Sequence, residues 1–243
     1  MVCMAGGEGT GKSILSYAML LAVAYGTPFL GYPVKKGRVL YFDEENSLPD
    51  ILTYMYWLWN GMGQPDLAIM DEAVRFEHFA LGARSDPFSH IGACVETHRP
   101  DLVVVDTATS ALSIEEENDN SEALRAIKRM RCIKQEHAPT STWLILKHAK
   151  RGKDGKMTVR GAKGWVGATD ATMSLGKDAG SLARDMKDMG WTRTVLDKIK
   201  VRAWGLRHQT GIEPVKLGDS LTLNRCKPNI KPRKTKSKKQ STT

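Results

Sequence analysis

Met1-Val2-Cys3-Met4-Ala5-Gly6-Gly7-Glu8-Gly9-Thr10-Gly11-Lys12-Ser13 is the stretch on which the fold turns. Five largely apolar residues run into Gly6, Gly7, Glu8, Gly9, Thr10, Gly11, Lys12 and Ser13, which match the pattern GxxxxGK[ST], and a helix-like segment over residues 12–25 follows. That order, strand then glycine loop then helix, is the context the pattern needs. Its chemistry follows from the residue types. Glycines let successive backbone N–H groups curl around a β-phosphate, and the helix presents its positive end to the same group. Lys12 reaches the β- and γ-oxygens, and the Ser13 hydroxyl ligates Mg²⁺. ATP and Mg²⁺ are the expected ligands.

Outward from this stretch, short β-type runs alternate with longer helix-like segments. Strands are expected at residues 1–5, 38–43, 73–79, 102–106 and 141–147, and helices at 12–25, 48–59, 87–97 and 121–137. Val39-Leu40-Tyr41-Phe42 and Leu102-Val103-Val104-Val105 are apolar on both faces, as a parallel strand covered by helices must be. The expected class is α/β, with a mostly parallel central sheet flanked by helices. Asp106 ends one of these strands and is the natural carboxylate to hold the metal. Thr107 follows it, where some P-loop NTPases carry a water-activating glutamate, so by that likeness the base is expected at another strand end. Residues 38–46 supply one, ending an apolar strand in Asp43-Glu44-Glu45.

Beyond Lys147 the pattern changes. A Gly/Lys-rich loop is expected over residues 150–164, then strands near 170–175, 194–203 and 213–223, the last two forming an antiparallel extension at one end of the sheet. The expected ATPase domain spans residues 1–224 and the expected disordered basic tail residues 225–243, since CKPNIKPRKTKSKKQSTT lacks the apolar residues to offset its ordering entropy. Net charge is +9, and residues 225–243 hold eight basic residues and no acid, leaving +1 elsewhere. The basic character is thus an appendage's, not the domain's. The longest nearly uncharged apolar run, residues 14–24, is well short of the ~20 residues a bilayer crossing needs. No positive segment precedes it as in a leader peptide. The four scattered cysteines show neither CxxC nor paired histidine spacing, so neither a zinc site nor a disulfide framework is indicated. A reduced, cytoplasmic setting is expected, without membrane attachment.

Taken together, these motifs resemble the RecA-like P-loop ATPases, in particular the RepA-type hexameric replicative helicases of bacteria, plasmids and phages. The resemblance covers residues 1–223. It rests on the P-loop, on Tyr41-Phe42-Asp43-Glu44-Glu45, on Asp106-Thr107-Ala108-Thr109-Ser110-Ala111-Leu112, on the acidic loop 115–120, on Leu146-Lys147-His148-Ala149-Lys150, and on Arg160-Gly161-Ala162-Lys163 followed by Asp170. It implies that Glu45 is the catalytic base, with Glu44 in reserve, and that His148 senses the γ-phosphate. It implies a homo-oligomer, such as a hexamer, acting on single-stranded DNA in replication or recombination. The alternative is a recombination mediator of the RecA-paralogue kind, in which ATP acts as a switch and nothing is unwound. A metabolic kinase is disfavoured because no arginine-rich lid is evident.

Two further expectations rest on that resemblance. In such relatives, loops leaving this sheet edge line the DNA path; here that loop carries Lys150, Arg151, Lys153, Lys156, Arg160 and Lys163 among four glycines. Lysines there neutralise phosphates without reading bases. Relatives carry an arginine finger near Asp170, where this chain has an acid. Lys200 and Arg202, in a Lys-x-Arg pair, are therefore expected to reach a neighbouring subunit's site, and Lys198, Lys200 and Arg202 to share one strand face. No segment is expected before the first strand, so oligomer contacts that relatives take from such a segment would come from elsewhere.

Overall fold

The computed structural model describes residues 1–112, 114, 119–151, 157–159, 163–177, 194–201, 209–217 and 219–226. β1 (Val2–Gly6) leads into α1 (Lys12–Tyr25), and β2 (Val39–Asp43) into α2 (Leu48–Gly61) and α3 (Leu67–Ala73). β3 (Val74–His78) is followed by α4 (Pro87–His98), and β4 (Leu102–Asp106) by α5 (Ala108–Ala111) and α6 (Asn120–His137). Then come β5 (Thr142–Arg151), β6 (Met157–Val159), α7 (Lys163–Ala168), β7 (Ala171–Lys177), β8 (Thr194–Val201), β9 (Gln209–Leu217) and β10 (Ser220–Cys226).

One sheet carries the strands in the order β10-β9-β8-β7-β1-β5-β4-β2-β3, with β6 paired to β5. The six strands from β7 to β3 are parallel to their neighbours, and β8, β9 and β10 continue the sheet antiparallel. The expected α/β architecture with an antiparallel C-terminal extension is the one that forms.

Alternation along the central strands divides the interior into two cores. Cys3, Ala5, Leu40, Phe42, Val103, Val105, Trp143 and Ile145 face α4, α6 and α7. Met4, Val39, Tyr41, Leu102, Val104, Leu144 and Leu146 face α1 and α2. Each strand is thus buried on both sides, the physical reason for its unbroken apolar run.

Registers bring the functional ends to one edge. Gly6 pairs with His148 and Asp43 with Asp106, so the tips of β1, β2, β4 and the middle of β5 lie together at the C-terminal edge, where ligands of open α/β sheets bind. β5 has ten residues against five in β1. Its last three, Ala149, Lys150 and Arg151, pair antiparallel with Val159, Thr158 and Met157 and project past the sheet edge as a hairpin.

Several expectations need correction. The loop foreseen over 150–164 contains β6 and the start of α7. The strand foreseen over 213–223 is two strands, β9 and β10, paired with each other across a turn at Asp219. Among the described residues the β8–β9 pairs run from Gln209 to Ile212, and Pro214 pairs with Leu223 of β10. Lys198 pairs with Met173 and Lys200 with Thr172, a register shift that makes Ile199 an extra residue. The side chains of Lys198 and Lys200, and all of Arg202, lie outside the described residues, so the expected shared face is not one the described register reaches. The short helices α3, α5 and α7 carry too few residues to show a period. β10 runs through Cys226, two residues past the foreseen domain end.

The C-terminal extension returns to the body at α2. Asn60 Nδ2 donates to Asp219 O at 3.0 Å, Leu221 is buried in the α1–α2 core, and a Cβ on Gly61 would lie 2.0 Å from Leu221 O. Among the described residues, no helix is long and apolar enough to cross a membrane.

Candidate active site

Among the described helices of seven residues or more, the caps single out the loop after β1. Ser47, Asp66, Asp86 and Asp119 each accept a hydrogen bond from a first-turn N–H of α2, α3, α4 and α6. The α1 cap is Gly11, which offers no side-chain acceptor. Its first-turn N–H groups thus face the loop without a side-chain acceptor from the cap. Gly9 at φ 64° and Gly11 at φ 81° take the left-handed backbone that lets the loop curl. A Cβ on Gly6 would stand 2.4 Å from Thr10 Oγ1 and 2.9 Å from Lys12 Cγ, so the close turn requires glycine there. Thr10 Oγ1 donates to Gly7 O at 2.7 Å, and the buried Lys12 folds its ammonium back toward Gly7 O at 3.4 Å.

Opposite the loop stand four polar strand-end residues. Asp106 is fully buried. Its Oδ2 accepts from Tyr41 Oη at 3.1 Å, whereas Oδ1 is buried and accepts no hydrogen bond among the described residues. Burial, reinforced by the Asp43 charge, pushes the Asp106 carboxyl up to about 7, and the Ser13 hydroxyl beside it pulls the other way. A buried carboxylate oxygen without a partner, next to the Ser13 hydroxyl and two further acids, fits a hard divalent cation. Asp106 and Ser13 are thus where the sequence expects the metal ligands.

Asp43 is the residue the motif reading passed over. Fully buried, it accepts at Oδ1 from the N–H of Glu45 at 3.1 Å and of Asn46 at 2.8 Å, and at Oδ2 from Tyr17 Oη. It ties α1 to the tip of β2 and sets the turn that aims Glu45. Asn46 Nδ2 bridges Asp43 and Ser13 Oγ, the latter at 3.3 Å. Ser16 Oγ lies 2.6 Å from Tyr41 Oη, completing a buried polar strip from α1 to β4. A visible signal existed: an acid closing an apolar strand beside a second such acid in register.

The two glutamates part company. Glu44 is buried, and its carboxylate accepts from Leu81 N at 2.8 Å and Gly82 N at 3.0 Å. Both its oxygens hold the loop after β3. Glu45 instead faces His148, with Oε1 3.6 Å from Nε2, both side chains partly exposed. Glu45 and His148 thus lie beside each other at the C-terminal edge of the sheet.

Other foreseen residues fall elsewhere. Lys147, next to His148, is fully buried, donates to Thr109 Oγ1 at 2.6 Å and lies over the Trp165 ring at 5.0 Å. Asp170 sits at the start of β7, where its N–H donates to Met1 O and its carboxylate accepts from Arg131 at 3.1 Å. That is the edge opposite the P-loop. Lys200 pairs with Thr172 at the same far edge, away from its own P-loop. Lys150 and Arg151 lie on the projecting end of β5 and Lys163 opens α7; Lys153, Lys156, Arg160, Arg202, Glu115, Glu116, Glu117 and the tail from residue 227 lie outside the described residues.

A family model described as AAA domain matches residues 1–154, more than half of the chain and all of the strand tips just described. No curated protein matches the chain.

Proposed function

The chain belongs to the AAA domain family of P-loop ATPases, and from that premise we propose an oligomeric, helicase-like motor on single-stranded DNA, acting in replication or recombination. The observation that carries the reading is the course of β5. It sets His148 against Glu45 at the nucleotide edge and then runs, without a break, into the hairpin that opens the basic segment.

Within the site, Lys12 balances phosphate charge from inside the loop and the α1 N-terminus receives the β-phosphate. Ser13 and Asp106 would hold Mg²⁺, which when bound would supply positive charge to the phosphoryl oxygens. Glu45 orients and deprotonates the attacking water, kept in place by Asp43 through its backbone N–H. His148 donates to the γ-phosphate from Nε2 and returns to Glu45 once that phosphate has left. Lys150, Arg151, Lys153, Lys156, Arg160 and Lys163 then track the DNA backbone by charge.

A cation for the developing γ-phosphate charge comes from a neighbouring subunit, through Lys200 and Arg202. Lys200 lies at the edge away from its own P-loop, which favours action on another copy. Mixing tests this: Arg202→Ala and Glu45→Gln proteins, each nearly inactive, should recover part of the ATPase together, because some interfaces then hold both intact halves. No recovery removes the pair from the site.

DNA action is tested by neutralising Lys153, Lys156 and Lys163 together. Single-strand affinity should fall, and the slope of log affinity against log salt should shrink by ~2, at ~0.7 for each phosphate that a lysine ceases to neutralise. An unchanged slope refutes the loop as the DNA path. Strand displacement run beside binding separates a motor from an ATP-gated mediator, which binds but displaces nothing.

A further inference from the structure

Glu77 on β3 and His90 and Cys94 on α4 are the one group among the described residues whose acid, imidazole and thiol donors come within 4.8 Å of one another. They lie outside the nucleotide site, on the face of the edge strand that α4 covers. His90 and Cys94 are one helical turn apart and so project from the same side of α4. Glu77 Oε2 stands 3.1 Å from His90 Nε2, and Cys94 Sγ stands 3.5 Å from the same nitrogen.

That convergence is informative. A relay that activates a thiol uses the two different ring nitrogens, one for the acid and one for the sulfur. Here carboxylate and sulfur both address Nε2, which carries at most one proton. Three donors aimed at one point are instead the arrangement of a cation cradle. Tetrahedral Zn²⁺, with bonds of ~2.0–2.1 Å to nitrogen and oxygen and ~2.3 Å to sulfur, separates its nitrogen and oxygen ligands by ~3.4 Å and its nitrogen and sulfur ligands by ~3.6 Å. The observed separations lie within a few tenths of an ångström of both.

We propose that Glu77, His90 and Cys94 bind a borderline-soft divalent transition metal, with Zn²⁺ the best match, leaving a fourth position to water. The donor set excludes Mg²⁺ and Ca²⁺, which take oxygen ligands at higher coordination number. Arg75 Nε donates to the other Glu77 oxygen at 2.7 Å, holding the carboxylate with Oε2 turned to the imidazole, as outer partners of metal ligands do. Burial opposes ionisation of Glu77, yet the hydrogen bonds from Arg75 and His90 outweigh it and keep the carboxyl below its usual range. Burial, with the Glu77 charge, raises the Cys94 thiol, against the weaker pull of Arg75 and Arg84. Cation uptake would form the metal–sulfur bond as the Cys94 thiol proton passes to solvent.

The two ligand-bearing elements are joined by residues 79–86, whose Leu81 and Gly82 amides hold Glu44. A cation across β3 and α4 closes this segment from its far side. Glu77 and His90 are partly exposed at 17% and 19%, which provides an entry path, while Cys94 is buried.

The test strips the full-length chain with a chelator, returns it to excess Mg²⁺ so that the nucleotide-site carboxylates are occupied, and titrates Zn²⁺ against a chromophoric indicator. One equivalent should bind, and Co²⁺ in its place should show a thiolate-to-metal charge-transfer band with the visible bands of tetrahedral cobalt. Cys94→Ser should abolish the charge-transfer band, and Glu77→Gln, a milder change at a partly exposed side chain, should weaken Zn²⁺ binding by at least ~10-fold. Failure to bind one equivalent, absence of the thiolate band, or affinity unchanged in Glu77→Gln overturns the site. ATP binding by each variant checks its fold, and if Cys94→Ser loses it, Glu77→Gln alone decides.

Discussion

Substituting Asp106 by asparagine should remove a pH dependence of stability that this carboxyl imposes on the metal-free chain. Burial and the Asp43 charge push it up to about 7 from an ordinary 3.8. A raised carboxyl binds its proton more tightly in the folded state than in the unfolded one. Its contribution is therefore fully present below about pH 4 and is lost as pH rises through about 7. At 1.36 kcal/mol per unit, the whole span corresponds to ~4 kcal/mol, of which ~3 kcal/mol falls between pH 5 and 8. That is a visible share of the 5–15 kcal/mol typical of a domain. His98 works with the opposite sign, because burial lowers its pKa and acid conditions then disfavour folding. The quantity to read is thus the difference between wild type and Asp106→Asn. The asparagine keeps the shape and still accepts from Tyr41 Oη. Urea unfolding in a chelator at pH 5, 6, 7 and 8 supplies both curves. Wild type should lose ~3 kcal/mol relative to the variant across that range, and Mg²⁺ with nucleotide should restore it at pH 8 in wild type alone. Parallel curves would refute the account of Asp106 as a buried carboxyl awaiting a cation.

Glu45→Gln should bind ATP normally yet lose turnover by ~10²-fold or more, read by nucleotide binding beside phosphate release. Glu44→Gln should keep turnover but lose ~1–3 kcal/mol of stability, because its amide nitrogen must then face one of the two backbone N–H groups that the carboxylate now accepts from; a dead Glu44→Gln that still binds ATP would move the base by one residue. Gly61→Ala should lower the urea midpoint, by ~1–3 kcal/mol of overpacking, since the new Cβ meets the backbone of Leu221 at 2.0 Å. A neutral Gly61→Ala would mean that β10 does not lie against α2.

What was legible in the chain follows from what a local pattern can encode. Val39 to Phe42 and Leu102 to Val105 announce buried strands because every residue is apolar, and both are buried throughout. The loop from Gly6 to Ser13 announces itself because glycine, lysine and hydroxyl must fall at fixed offsets along one turn. Glu44 and Glu45 were not separable in this way. Their difference lies in Leu81 and Gly82, thirty-seven and thirty-eight residues from Glu44, whose amides no local pattern brings to either acid. The register shift at Ile199 was equally hidden, since an extra residue in a strand changes no composition. Counting cysteine spacings missed the cluster at Cys94 for the same reason: its acid comes from a strand thirteen residues before the imidazole.

The same distinction bears on how the site could drive work outside it. Asp43 and Asp106 are the last residues of their strands, and short connections lead from them into α2 and α5. β5 differs, because His148 lies within the strand and three more residues continue past it, paired to β6. A hydrogen-bonded ladder resists local bending, so a shift of His148 relative to Glu45 would be carried into the backbone of Ala149, Lys150 and Arg151 with little slack. Lys147 fixes the other side of that pivot, held by Thr109 from the segment that follows Asp106. β5 would thus be a stiff route for a displacement at the nucleotide edge, and the first charged residues beyond His148 on it are Lys150 and Arg151.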